Sequence, residues 1–72
     1  GTDTVRTMLR YLFEEVNLHR VYLTVDEENR RAIGVYERCG FRREGVGRSA
    51  RFKNGRYRND VTMAVLREEW NP

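Results

Sequence analysis

The apolar residues near the N-terminus recur with the spacing of one helical face, which is the pattern that constrains this chain most. Thr2 or Asp3 can cap the start of such a helix, and Asn17 suits the left-handed conformation that ends one. The spacing predicts a first helix over about residues 3–16 that packs its apolar face on another layer. The residues of that face are Val5, Met8, Leu9, Leu12, Phe13 and Val16.

A strand and a second helix follow. Residues Arg20–Asp26 (RVYLTVD) are β-branched and aromatic and alternate between two faces, which predicts a strand. Because both faces carry apolar or aromatic side chains, we expect an interior strand that is covered on each side. Ala32, Ile33 and Tyr36 then share one face of a helix over about residues 30–39, and Gly40 supplies the positive φ that ends it.

After Gly40 the apolar residues alternate with period two, as in strands. Asn54-Gly55 is typical of a two-residue type I′ turn, so residues 41–52 and 57–66 are predicted to form the arms of a hairpin. The order α-β-α-β-β predicts an α/β (α+β) fold, a mixed sheet with a C-terminal antiparallel hairpin, in one domain over residues 1–72. A strand bordered by helices normally belongs to a larger sheet, so we expect its missing neighbour before Gly1.

Composition narrows the class of protein. Hydrophobic residues make up 39% of the 72 and charged residues 35%, and no apolar run approaches the roughly 18 residues of a membrane span, so we expect no membrane segment. A single cysteine, Cys39, excludes an internal disulfide and a thiolate metal cluster, and it fits a reducing, cytoplasmic location. The lone His19 lies between two periodic segments and is interpreted as a solvated turn residue.

Basic residues cluster in one segment of a chain whose net charge is +3. Such a face attracts phosphates, whether of a nucleic acid or of a phosphorylated cofactor. Two strands with charged, solvated outer faces explain the same pattern equally well. Opposed by Glu44 alone, the basic residues are Arg42, Arg43, Arg48, Arg51, Lys53, Arg56 and Arg58.

Three stretches carry a resemblance to a known family. Over essentially all 72 residues the sequence resembles the C-terminal half of the GNAT superfamily of N-acetyltransferases. It resembles most closely the branch that acetylates the N-termini of ribosomal proteins, together with the similar polyamine and amino-acid acetyltransferases. The stretches are Gly1-Thr2-Asp3 before the first helix, residues 17–41 with Asn29-x-x-Ala32-x-x-x-Tyr36-x-x-x-Gly40-Phe41, and Arg43-Glu44-Gly45 before the basic hairpin and residues 66–70 (LREEW).

The resemblance implies an acetyl-CoA-dependent transfer to a primary amine, by direct attack and without a metal. The acceptor would be a small molecule, a polyamine, or the N-terminal amine of a peptide or protein. Tyr36 is implied as the general acid, since a phenol with a reference pKa of about 10 stays protonated at neutral pH and can donate to a leaving thiolate. Spacing alone favours a different interpretation, in which Tyr36 is a core aromatic beside Ala32 and Ile33.

The resemblance also implies residues that hold acetyl-CoA. Asn29 would hydrogen-bond the pantetheine chain, although an asparagine at that position also serves as a helix cap. The N-terminus of the first helix would attract the pyrophosphate, and Arg31 and Arg38 could meet the phosphates. The predicted cofactor-binding residues are Gly1, Thr2, Asn29, Ala32, Tyr36 and Arg38.

Two alternatives to an enzyme fit the same residues. One is a small basic nucleic-acid-binding module that stacks bases on Phe41, Phe52 and Tyr57. The other is a catalytically silent half-domain that associates with itself. For the isolated chain we expect a homo-oligomer, because the strand Arg20–Asp26 would otherwise expose unpaired backbone groups and apolar side chains at a sheet edge.

Overall fold

A computed structural model describes residues 1–70 of the chain. The observed order of elements is α-β-α-β-β, so the predicted fold class is confirmed. The elements are helix α1 (Thr2–Arg10), its π-helical continuation (Tyr11–Glu15), strand β1 (Arg20–Asp26), helix α2 (Arg30–Arg38), strands β2 (Arg42–Lys53) and β3 (Arg56–Leu66), and a 3₁₀ turn (Arg67–Glu69).

The three strands form one sheet in the order β1-β3-β2, and both neighbouring pairs are antiparallel. β2 and β3 form the predicted hairpin. Its turn residues Asn54 and Gly55 have φ values of 53° and 80°, and a type I′ turn requires positive φ at both positions. β1 pairs with β3 without interruption, from Arg20 opposite Leu66 to Asp26 opposite Asp60.

β1 lies at the edge of this sheet, because β3 inserts between β1 and β2. The expectation of an interior strand covered on both faces is therefore not met within residues 1–70. Tyr22, on the face away from the helices, is 66% exposed. All strand pairs in the described part are antiparallel, so the parallel pair of a mixed sheet would need a strand that is not among these residues.

Both helices pack on one face of the sheet. Val21, Leu23 and Val25 of β1 are half-buried against the core. Burying these apolar faces is the main favourable contribution to folding. The buried cluster consists of Leu9, Phe13, Ile33, Cys39, Phe41, Val61, Met63 and Val65.

The N-terminal end of the first helix differs from the prediction, and its C-terminal end agrees with it. α1 begins one residue earlier than expected, with Gly1 as its N-cap and no side-chain cap, so the predicted capping by Thr2 or Asp3 is wrong. At the other end Asn17 has the expected left-handed backbone, with φ 62°. Arg67 donates from Nη1 to the carbonyl oxygens of Phe13 (2.7 Å) and Leu18 (3.3 Å), which ties the end of the π-helical segment to the C-terminal end of β3.

Within residues 1–70 no helix combines the length and the apolar character that crossing a membrane requires. The same residues include no group of three or more His, Cys, Asp or Glu side chains that could hold a metal ion.

Candidate functional site

An open groove of about 320 Å³ runs between the N-terminal end of α1 and one side of α2. Four of the six residues that the sequence predicts to bind acetyl-CoA line it. The structure therefore brings the start of the first helix beside the face of α2 that carries the predicted acid. The lining residues are Gly1, Val5, Asn29, Arg31, Ala32, Val35 and Tyr36.

Tyr36 lies in the last turns of α2 and is half-buried against the core. Its ring meets that of Phe41 edge-on, with centroids 5.5 Å apart at 61°, and its carbonyl oxygen accepts from the N–H groups of Cys39 and Phe41, each at 3.0 Å. The backbone of Tyr36 is thus held by hydrogen bonds, and its ring is held by packing against Phe41. Among residues 1–70 the hydroxyl forms no hydrogen bond, so it can donate one to a ligand in the groove.

Asn29 is the N-cap of α2, as one of the two sequence interpretations required. Its Oδ1 accepts from the N–H of Ala32 at 3.1 Å, which satisfies one of the free donors of the first turn. The cap uses only the oxygen of the side-chain amide. Among residues 1–70 the Nδ2 group forms no hydrogen bond, so it can donate to a ligand. Capping and cofactor binding are therefore compatible functions of one side chain.

The start of α1 supplies the groove with backbone donors. No side chain caps this helix, and its first intrahelical bond runs from the N–H of Val5 to the carbonyl oxygen of Gly1 at 3.3 Å. The preceding N–H groups of the first turn have no intrahelical acceptor, and together with the helix dipole they favour an anion. Such an end offers donors to a phosphate group, and the binding of a pyrophosphate by Gly1 and Thr2 stays a prediction.

Thr2 and Arg38 do not line the groove. The carbonyl oxygen of Thr2 accepts from Cys39 Sγ at 3.7 Å, which joins the start of α1 to the end of α2. The carbonyl oxygen of Arg38 accepts from Arg6 Nη2 at 3.4 Å, which joins the end of α2 to α1. Arg31 lines the groove instead, so it is the arginine better placed to meet a phosphate.

The sequence prediction missed Val5 and Val35, the apolar wall of the groove. Both were detectable from helical spacing, since Val5 follows Gly1 by four positions and Val35 follows Arg31 by four. The relative placement of the two helices was not detectable, because it depends on their packing against the sheet.

A larger cavity of about 720 Å³ lies on a different side of α2, and Tyr36 does not line it. Its wall carries Glu27, Glu28 and Glu37 with Arg30 and Arg43. Several of these charges are already paired: Glu28 with Arg56 at 2.6 Å and Glu37 with Arg43 at 3.5 Å. Although this cavity is larger than the groove, none of the residues predicted to take part in acetyl transfer lines it.

The base of the hairpin carries a cluster of paired charges. Asp26 Oδ2 lies 2.7 Å from Arg58 Nε and 3.3 Å from Arg51 Nη2, and Arg51 Nε also lies 2.9 Å from Asp60 Oδ1. The pKa of Asp26 is lowered from its ordinary value by the N–H of Glu28, which donates to its side chain at 2.9 Å, and by the two arginines. Asp26 is therefore an ionised anchor for the hairpin and a poor candidate for a general base.

The basic segment is mostly neutralised by such pairs, which weakens the nucleic-acid interpretation. Five of its seven basic residues lie within 4.0 Å of a carboxylate, and Phe41 is only 3% exposed and cannot stack on a base. Phe52 and Tyr57 are exposed but pack edge-on against each other, with centroids 5.2 Å apart. The five paired residues are Arg42, Arg43, Arg51, Arg56 and Arg58.

Comparison with protein families gives a match over residues 1–42, more than half of the chain, to the model described as the acetyltransferase (GNAT) domain. Among curated proteins, the chain is 36% identical over 70 residues to the spermidine N(1)-acetyltransferase of Escherichia coli strain K12, covering 97% of this chain and 38% of that protein. The corresponding protein of Vibrio cholerae is 39% identical over 74 residues, covering 97% and 43%. The chain thus spans about two fifths of the length of these relatives.

Comparison with a solved structure supports the same family at the level of the fold. The V. cholerae spermidine N-acetyltransferase in complex with CoA and spermine superposes with a TM-score of 0.91 at 38% identity, over 94% of this chain and 40% of that one. Another structure of the V. cholerae protein was solved in complex with manganese ions. The E. coli [ribosomal protein uS5]-alanine N-acetyltransferase is more distant, at 24% identity over 97% of this chain and 36% of that protein.

Proposed function

The chain belongs to the GNAT acetyltransferase family, and we propose that it is the part of an acetyl-CoA-dependent N-acetyltransferase that carries the general acid. The reaction is direct acetyl transfer to a primary amine, with Tyr36 as the acid. One observation carries the proposal: Tyr36, Asn29, Ala32 and Gly1, selected from sequence, line a single groove. The positions of these four residues in the sequence did not by themselves require that they line the same groove.

The residues of the groove offer a contact for each kind of chemical group in acetyl-CoA. The uncapped start of α1 offers backbone donors to phosphates, and Arg31 adds a positive charge to the groove lining. Val5 and Val35 give an apolar surface for the pantetheine chain, and the free Nδ2 of Asn29 can donate to one of its amides. A phosphorylated, partly apolar and amide-containing ligand matches this set of groups.

Acetyl-CoA supplies the acetyl group as a thioester, whose sulfur leaves with the bonding electron pair when the amine attacks the carbonyl carbon. The contribution of Tyr36 is to give its hydroxyl proton to that sulfur, so that a neutral thiol departs. A hydroxyl already bonded to a protein acceptor would be less available, and this one has no such partner among residues 1–70. The contact of the ring with Phe41 fixes its direction, which is the positioning that proton transfer needs.

For the acceptor we propose a polyamine of the spermidine type. The support is the similarity to two spermidine acetyltransferases at 36% and 39% identity, against 24% for the ribosomal-protein enzyme. The ribosomal-protein branch that the sequence first suggested stays a prediction. The same holds for the expected independence from metals and for the expected cytoplasmic location.

The first test is binding of coenzyme A to the 72-residue chain, followed by thermal unfolding. A ligand present at 100 times its dissociation constant stabilises the folded state by about 2.7 kcal/mol, so we expect a clear rise in melting temperature. The variant Ala32→Glu places a bulky charge in the groove and should abolish that rise. Its matched control is Ala50→Glu, the same substitution at an exposed position of β2 outside the groove. No shift at millimolar coenzyme A would contradict the proposed site.

The second test concerns the acid. In a hybrid in which these 72 residues replace the matching segment of the V. cholerae spermidine N-acetyltransferase, Tyr36→Phe should lower turnover by about 100-fold or more, the usual contribution of a general acid. Coenzyme A affinity should change little. Tyr57→Phe, which removes an exposed hydroxyl from the hairpin, is the control. Equal turnover of the two variants would show that another group or water protonates the sulfur.

A further inference from the structure

The turn between β1 and α2, residues 27–29, connects the groove with the base of the hairpin. Asn29 lines the groove, and it also lines a second cavity of about 310 Å³ together with Asp26, Arg51 and Asp60. The residue proposed to bind acetyl-CoA therefore adjoins the paired charges of the hairpin base. This connection matters for acetyl transfer only if Asn29 binds the cofactor, so the inference rests on the function proposed above.

Hydrogen bonds to Asp26 hold this turn. The N–H of Glu28 donates to Asp26 Oδ1 and the N–H of Asn29 donates to the carbonyl oxygen of Asp26, each at 2.9 Å. The first of these bonds is an Asx turn, in which an aspartate side chain accepts from the backbone two residues further on. Asn29 itself has φ −84° and ψ 72°, outside the helical region, so the direction of its side chain depends on the turn and not on the hydrogen bonds within α2.

The two carboxylate oxygens of Asp26 have different partners. Oδ1 accepts from the turn, whereas Oδ2 lies 2.7 Å from Arg58 Nε and 3.3 Å from Arg51 Nη2. The Asp26 side chain is only 13% exposed, and solvent ions screen such a partly buried pair much less than an exposed one. The two arginines therefore hold the carboxylate in the orientation that turns Oδ1 toward the N–H of Glu28.

An irregularity in β2 brings Arg51 to this position. Asp26 lies opposite Asp60 across β1 and β3, and like charges that face each other destabilise a strand pair. Arg51 bridges the two carboxylates, with Nε 2.9 Å from Asp60 Oδ1 and Nη2 3.3 Å from Asp26 Oδ2. The register of β2 against β3 shifts between Gly47 and Arg51, and such bulges redirect side chains. The shape of the hairpin therefore determines how the Asp26 carboxylate is held.

We propose that Asp26 is a positioning residue for acetyl-CoA binding. Held by Arg51 and Arg58, it fixes the turn between β1 and α2 so that Asn29 presents its Nδ2 donors to the groove. Asp26 does not line the groove, and neither does any residue of the hairpin. The hairpin therefore influences the affinity for the cofactor through the turn and not through residues of the groove.

A double-mutant cycle tests whether Asp26 acts through Asn29. The hybrid that carries these 72 residues in the V. cholerae spermidine N-acetyltransferase is titrated with coenzyme A to obtain the dissociation constant. Asp26→Ala should raise this constant about fivefold, the effect of losing roughly one hydrogen bond. In an Asn29→Ser background, which already lacks the amide donor, the same change should raise it by less than about twofold, because the two residues act as one unit.

Glu44→Ala is the matched control, because it also removes a carboxylate paired with an arginine. Its partner is Arg20, at the opposite end of β1 from the turn, so the dissociation constant should stay unchanged in both backgrounds. A merely structural loss weakens binding equally with and without the Asn29 amide, so equal effects of Asp26→Ala in the two backgrounds would overturn the inference alone. If Asn29→Ser by itself leaves the affinity unchanged, the role of Asn29 in the proposed function is wrong, and the inference is wrong with it.

A second measurement needs no ligand. In the 72-residue chain, hydrogen exchange at the N–H of Ala32 reports the bond to Asn29 Oδ1, and the N–H of Phe41, which donates to a carbonyl oxygen at the other end of α2, is the reference. Asp26→Ala should speed exchange at Ala32 relative to Phe41, whereas Glu44→Ala should leave the ratio unchanged. An unchanged ratio in Asp26→Ala would show that Asp26 does not hold Asn29, whatever the affinity for coenzyme A.

Discussion

The groove beside α2 and the base of the hairpin differ in how their polar groups are paired. In the groove, the Tyr36 hydroxyl has no hydrogen-bond partner among residues 1–70, and no side chain caps α1. At the hairpin base, Asp26 is held by Arg58 at 2.7 Å and by Arg51 at 3.3 Å. Polar groups that fold into mutual contact stabilise the chain, whereas groups left unpaired in a groove are available to a ligand. Most of the charge in the hairpin is therefore paired within the chain, and the function proposed above uses the region with fewer paired groups.

The largest expected effect on stability comes from removing a well-shielded charge of the hairpin base. Arg58→Ala leaves Asp26 without its nearest cation, at a place where both side chains are less than 20% exposed, and should lower the melting temperature clearly. Arg56→Ala is the matched control, because its pair with Glu28 is about half exposed on each side and such surface pairs contribute about 0–1 kcal/mol. Thermal unfolding of both variants measures the difference. Equal melting temperatures would remove the structural role assigned to this cluster.

The next effect tests whether Asn29 has two functions, as the cap of α2 and as a group that binds the ligand. Asn29→Ala removes the bond to the N–H of Ala32 and should cost about 1 kcal/mol of folding free energy. Asn29→Ser keeps a capping oxygen but loses the amide donor, so it should retain most of the stability while weakening coenzyme A binding. Urea unfolding and ligand titration of the two variants separate the functions. If Asn29→Ser binds coenzyme A as well as the original chain, the residue is a cap only.

Local sequence patterns predicted the helices and strands of both regions. The features that could not be predicted depend on contacts between residues far apart in the sequence. Helical spacing gave both helices to within two residues at each end, and Asn54-Gly55 gave the hairpin turn. An exposed edge on β1 was expected from the lack of an upstream partner strand, but its pairing with β3 was not predicted, because β3 lies more than 30 residues further along the chain. The groove was predicted in part: four of the six predicted residues line it, and Thr2 and Arg38 do not.

A smaller effect of opposite sign is expected from a glycine on α2. Gly34 lies in the interior of the helix, where glycine costs roughly 0.5–1 kcal/mol relative to alanine. A Cβ at this position would meet only Arg38 Nη1, at an ordinary 3.7 Å, so Gly34→Ala should stabilise the chain by about that amount. It should leave coenzyme A binding unchanged, because Gly34 does not line the groove with Tyr36. Destabilisation would mean that another surface approaches this side of α2 closely.

The smallest expected effect is a dependence of stability on pH that comes from the sheet and not from the groove. Arg20 binds Glu44 with two bonds of 2.6 Å and lowers the pKa of Glu44 from its ordinary 4.5; the pKa of Asp26 is lowered as well. A lowered pKa means that the unfolded chain binds more protons than the folded one, so stability rises with pH in this range. The contribution is fully present above about pH 5 and is lost as the pH falls through the folded-state pKa.

Urea unfolding between pH 3 and pH 6 measures this dependence. Glu44→Gln should reduce its slope without removing it, since the Asp26 contribution remains, whereas Tyr36→Phe in the groove should keep the full slope. High salt should weaken the Arg20 pair, because both of its side chains are about 40% exposed. If Glu44→Gln leaves the slope unchanged, the bidentate pair does not persist in solution, and the hairpin base alone accounts for the charge-dependent stability of the sheet.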